Sequence, residues 1–165
     1  LMTVTWAHPG HDKTTTTDWV PQAELKQLFP EGHTFTVLRV KNPEEFSAAV
    51  QKKLGKKMTV SDLSTPMFKA QKRDGQMLGY AWIGVVSLDK KANMLLVGTD
   101  AQNKVTGVLL PETTSALAKA SFLGQFKGKT GNDTLTDVKA EGAEQTEVVA
   151  LVHQATVMLA LAAKE

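Results

Sequence analysis

Four histidines and a short set of hydroxyl and amide side chains are the groups in this chain best suited to chemistry. His8 and His11, in HPGH, seat a metal only when a third ligand arrives from elsewhere, and a pair so close to a chain end also reads as plain surface. His33 follows Gly32 and reads as a turn residue. His153 differs, because it lies with Gln154 and Thr156 inside VVALVHQATVMLALA, residues 148–162, apolar on both sides. Two readings follow for it: a buried, hydrogen-bonded structural histidine, or an axial ligand to a non-covalently held haem b.

Other chemistry is excluded by what the chain lacks. Without cysteine there is no disulfide, thiolate catalysis, iron–sulfur ligation or c-type haem attachment. No Gly-x-Ser-x-Gly elbow, phosphate-binding loop, zinc pair or dinucleotide fingerprint occurs, and serine, histidine and aspartate show no triad spacing. A hydrolase is therefore disfavoured against an electron carrier or a binding protein. The formal charge of +2 arises from 19 basic and 17 acidic residues spread along the chain, which gives no nucleic-acid surface. QKKLGKK and KAQKRDG, the densest basic stretches, lack interleaved aromatics and read as solvated surface.

The elements that must position these groups are legible in outline. Pro21 opens a short helix, PQAELKQLF, closed by Pro30 and Gly32. HTFTVLRV alternates with strand period, setting Phe35, Val37 and Arg39 on one face. NPEEFSAAVQKKLG reads as a helix with Asn42 as N-cap, Pro43 at the first position, Glu44 and Glu45 at the positive end of the dipole and Gly55 as stop. Its Phe46, Val50 and Leu54 share one side. MLGYAWIGVVSL, ANMLLVGTD and KVTGVLLP, separated by turns rich in Asp, Lys, Asn and Gly, predict a three-strand antiparallel meander.

ETTSALAKASFLGQFKGKT predicts a helix that starts near Thr113, and GKTGNDT a loop. TEVVAL, with its β-branched content, is expected to be extended, so that the last helix begins close to His153. Strands and helices mix without βαβ alternation, which predicts an α+β fold, a twisted antiparallel sheet with packed helices, as a single domain over residues 1–165. The apolar run 148–163 is interrupted by polar groups and falls short of the roughly 20 residues of a membrane span. LMTVTWAHPGHDK is compatible with the end of a secretory signal or with a first strand.

From Gly79 onward the order of segments resembles the FMN-binding domain of extracytoplasmic subunits of sodium- and proton-pumping redox complexes. The resemblance is carried by GYAWIGVV, MLLVGTDAQNKVTGVLL, the Glu-Thr pair in PETTSALA, FLGQFKGKT and a late Ala-Thr, with LFPEGHTF as lead-in; it spans about residues 22–163. It implies an FMN-binding-domain-like fold, an extracytoplasmic or periplasmic location, electron transfer through FMN or another planar redox cofactor, and a redox partner protein, either free or membrane-associated.

In that family an Asp-x-x-Ser/Thr-Gly-Ala-Thr motif accepts FMN through a phosphoester on its last threonine. Laid on ALVHQAT it keeps Ala155 and Thr156 but meets Ala150, His153 and Gln154 at the acid, hydroxyl and glycine positions, with Met158 and Leu159 beyond. Gln154 adds bulk where glycine lets a phosphate approach a helix N-terminus. Glu112 and Thr113 match the family's Glu-Thr-Pro-Gly loop, while Thr114, Ser115 and Ala116 replace its turn. The resemblance therefore implies non-covalent FMN, with His153, Gln154, Ala155, Thr156, Glu112 and Thr113 as the candidate cofactor-binding residues, no covalent link to Thr156, and no catalytic or metal residue apart from the haem alternative at His153. A cofactor-free interaction or assembly module on the same scaffold is the competing expectation.

Overall fold

Asn42 begins the best-defined local structure as its sequence dictates: its Oδ1 accepts the Glu45 N–H at 3.2 Å, Pro43 takes the first helical position, and Gly55 closes the helix with φ +70. This helix is α2, Pro43–Leu54, in a computed structural model that describes residues 19–59, 61–113 and 119–164. The other elements, in chain order, are α1 (Gln22–Leu28), β1 (Thr34–Val37), β2 (Met67–Gln71), β3 (Met77–Leu88), β4 (Lys91–Asp100), β5 (Val105–Leu109), α3 (Ala120–Leu123), a 3-10 turn at Gly124–Phe126 and α4 (Gly142–Ala162). HPGH and the residues of the expected signal remnant lie outside the described residues, as do Thr114, Ser115 and Ala116.

The five strands form one open antiparallel sheet in the order β1-β2-β3-β4-β5. The fold is α+β, and the expected meander is its centre. Asp89 and Lys90 join β3 to β4 with φ of 51 and 65, the pair of left-handed residues that a type I′ turn requires. β2 was not anticipated from sequence: Phe68 and Ala70 are buried, but the segment also carries Lys69 and runs into KRDG, so charge masked the strand period. Arg39 falls just past β1, whose Phe35 is buried.

Strand alternation divides the core in two. Trp82, Val86 and Leu88 of β3, with Leu95 and Val97 of β4, face α2, α3 and α4, whereas Ala81, Ile83 and Leu96 join Phe35 and Phe68 beneath Leu25 and Phe29. Gly84 leaves room on the first face for the Trp82 ring, which a methyl group at position 84 would strike.

Two expected elements are corrected. α4 starts at Gly142, so TEVVAL is helical: Val148 and Val152 are fully buried against the first face of the sheet, and burial overrides their β propensity. At 21 residues α4 is also long and apolar enough to cross a membrane by composition, although half of its apolar window is buried within the fold. The helix expected from near Thr113 does not include Thr113, whose N–H closes a turn on the Leu110 carbonyl; among the described residues that follow, helix is present at Ala120–Leu123.

Candidate functional site

The continuous α4 decides what HQAT can do. Helical N–H groups around His153 are bonded to carbonyls four residues back, so no free helix terminus exists there for an anion. Thr156 is fully buried, its Oγ1 donates to the His153 carbonyl at 2.8 Å, and Gly131 closes over it so tightly that a Cβ on Gly131 would lie 3.1 Å from the Thr156 carbonyl oxygen. Ala155 is fully buried as well. His153 is partly buried; desolvation first, then the Lys56 ammonium, holds its pKa below the ordinary value, which keeps the imidazole neutral at pH 7. Gln154 is buried and tethers a loop rather than lining a phosphate cradle: its Nε2 donates to the Asp62 carbonyl at 2.9 Å and touches the Met158 sulfur at 3.6 Å.

Gln154 nevertheless shares one cleft with Glu112. This opening, of about 720 Å³, lies where the β3–β4 hairpin extends beyond β2 and β5, and is lined by Trp19, Ile83, Val85, Met94 and Leu151 together with Gln154, Glu112 and Asp62. Trp82 contributes to the wall, is fully buried, and has an indole N–H without a partner among the described residues. Glu112 Oε1 accepts the Met94 N–H at 2.6 Å. Asp62 is held ionised, first by the Thr59 N–H and then by the Thr59 hydroxyl. The charged groups of the described lining are thus two carboxylates, a poor match for a phosphate. His153, Ala155, Thr156 and Thr113 are not part of it.

A second cleft, about 530 Å³, opens at the start of α4 between Lys119, Ser121, Phe122, Gln125, Lys139, Glu141 and Gln145. Gly142 turns the chain into the helix with φ +80, and Glu141, at the N-cap, supplies no side-chain cap. The Glu141 side chain therefore caps none of the first-turn donors of this 21-residue helix, while Gln145 Oε1, on the cleft wall, accepts the Glu141 N–H at 2.7 Å; two lysines and the Glu141 carboxylate stand beside them. Gln125 fixes this wall by accepting the Lys139 N–H at 2.8 Å and donating to the Lys139 carbonyl at 3.0 Å. Just inside, Glu144 Oε2 accepts the Asp89 N–H at 2.7 Å.

A helix start placed close to His153 leaves these residues outside the last helix; the signal that marks them is a glycine followed by alanine and an acidic first turn ahead of a long apolar period. Among the described residues no three histidine or acidic side chains gather as a metal site. Neither a protein-family model nor a curated protein matches the chain.

Proposed function

We propose that this protein binds FMN, or another planar redox cofactor that carries a phosphate, non-covalently at the start of α4 and serves as an extracytoplasmic electron carrier for a redox partner. One observation carries the reading: the N-terminus of α4, without a side-chain cap, opens into a cleft that also holds Lys119 and Lys139. Backbone N–H groups, the helix dipole and two ammonium groups form a donor set suited to a phosphate. The acidic cleft at Gln154 and Glu112 offers no such set.

The sequence resemblance, whose motif falls on ALVHQAT, implies FMN held without a covalent link, since His153 and Gln154 replace its hydroxyl and glycine residues. The start of α4 enters on its own donor set, so the cofactor is held there by contacts alone. Bound FMN would supply one- and two-electron chemistry, while Lys119, Lys139 and the first turn of α4 hold its phosphate.

The test is titration of purified protein with FMN and with riboflavin, followed by flavin fluorescence. FMN binds at micromolar concentration, riboflavin at least tenfold more weakly, and Lys139→Glu weakens FMN about tenfold without changing riboflavin. No binding of FMN at millimolar concentration, or equal affinity for both flavins, overturns the reading and leaves the cofactor-free interaction module in its place.

A further inference from the structure

Beyond the cofactor reading, we propose that the free edge of β3 is a docking strand for an extended, cation-bearing peptide segment of a partner protein. β2 ceases to pair with β3 at Met67 and Trp82, and the last bond across that margin runs from the Ile83 N–H to the Pro66 carbonyl at 3.0 Å. Main-chain groups alternate along an antiparallel strand, so Val85 and Ser87 turn their N–H and C=O groups away from β4. Among the described residues no strand receives them. The opposite margin of the hairpin follows the same alternation, but there the Glu112 carboxylate takes the Met94 N–H. Among the described residues one margin is capped and the other is open.

The open margin also carries the means to hold an added strand. Val85 is 65% exposed, the one exposed large hydrophobic side chain among the described residues, and it borders the apolar cleft with Ile83 and Met94. Edge strands that avoid pairing carry lysine, proline or a bulge, and Val85-Val86-Ser87 has none of these. A segment bonded to Val85 and Ser87 would lay alternate side chains onto Val85, Ile83 and Met94, with its neighbours at the rim. The rim sets the charge: Glu112 on the β4 side and Asp62 on the β2 side are the charged groups of the described lining. A segment with Lys or Arg gains attraction at both, and an acidic one meets repulsion at both.

Amide hydrogen exchange of the whole protein tests this with two synthetic octapeptides of alternating valine and threonine, one ended by lysines and the other by glutamates. The lysine peptide slows exchange at the Val85 and Ser87 amides at least tenfold, and the glutamate peptide binds at least fivefold more weakly. Ser87→Pro removes an outward N–H without touching the β4 ladder and abolishes the protection. Val85→Lys, at a mostly exposed position, keeps the fold and weakens the lysine peptide about tenfold. Absent protection, or equal protection by both peptides, overturns the proposal. So does protection without peptide that rises with protein concentration, which would assign the edge to a second copy, or protection of the same amides by FMN alone.

Discussion

Glu144, in the first turn of α4, accepts the main-chain N–H of Asp89 at the tip of the β3–β4 hairpin, with 2.7 Å between them. The longest helix and the longest hairpin are thereby joined at their ends as well as through the core. Val148 and Val152 on one side, and Trp82, Val86 and Leu88 on the other, bring the two elements together. The Glu144 bond then fixes how the tip lies against the helix start. Its carboxylate also sits in the first turn, at the positive end of the helix dipole, a favourable place for a negative charge.

Replacing Glu144 by Ala removes this tie without opening the core. Asp89 is exposed and Glu144 only half-buried, so the cost is small, about 0.5–1 kcal/mol in urea denaturation. The local effect is larger than the global one: the Asp89 amide exchanges several-fold faster while the Leu95 and Val97 amides keep their protection. Unchanged exchange at Asp89 would show that the tip is held by the I′ turn alone.

Gly84→Ala tests the most crowded contact beneath α4. A Cβ at position 84 strikes the distal ring atoms of Trp82, and that ring is fully buried between β3 and the helices. Relief requires moving the indole or the strand, with an expected loss of about 2–3 kcal/mol in chemical denaturation. Buried-tryptophan fluorescence shifts with it. A neutral substitution would mean that the unpartnered Trp82 N–H lets the ring tilt at no cost.

His153 gives the fold an acid sensitivity whose direction follows from its burial. Its folded-state pKa lies below the ordinary value of 6.5, first through desolvation and second through Lys56. The unfolded chain therefore takes up a proton before the folded one does. The associated stability is complete above pH 6.5 and is lost as pH falls from there through the folded-state pKa. Asp62 lies on the loop tethered by the adjacent Gln154 and is itself held ionised by Thr59. Its protonation adds to the acid limb only at lower pH, below the ordinary carboxylate range. His153→Gln flattens the limb between neutral pH and the folded-state midpoint, read by denaturation at several pH values. An NMR titration of His153 in the folded protein with a midpoint at or above 6.5 contradicts the assignment.

Much of this architecture is legible before any coordinates. Asn42-Pro43 with Gly55 marks α2 by its caps, and the alternation in MLGYAWIGVVSL and ANMLLVGTD marks both strands of the long hairpin, because each rule acts within a few residues. β2 is masked by Lys69 and the charges just past its end, and the start of α4 is masked by the β-branched residues of TEVVAL, because the features that decide them are distant. Val148 and Val152 are helical on account of the sheet they cover, which no local propensity records. A helix that began at His153 would set its first-turn donors beside Thr156, whereas α4 begins at Gly142. Glu112 and Gln154 do border one cleft, but through a strand-edge cap and a loop tether.

The loop tether yields the last expectation. Gln154 Nε2 donates to the Asp62 carbonyl, across 92 positions of sequence, and so anchors the segment that leads into β2 and borders the open edge of β3. Gln154→Glu keeps the size of the side chain but replaces the donor with a carboxylate facing a carbonyl oxygen in a buried position. Repulsion and desolvation together cost about 2–4 kcal/mol, whereas Gln154→Met, which loses only the hydrogen bond, costs about 1–2 kcal/mol. Both variants speed proteolysis at residues 61–66, and the glutamate variant recovers part of its stability at pH 4, where its carboxyl is protonated and can donate. If the two substitutions are equally mild and the loop remains protected, the Thr59–Asp62 bonds hold it without help from α4.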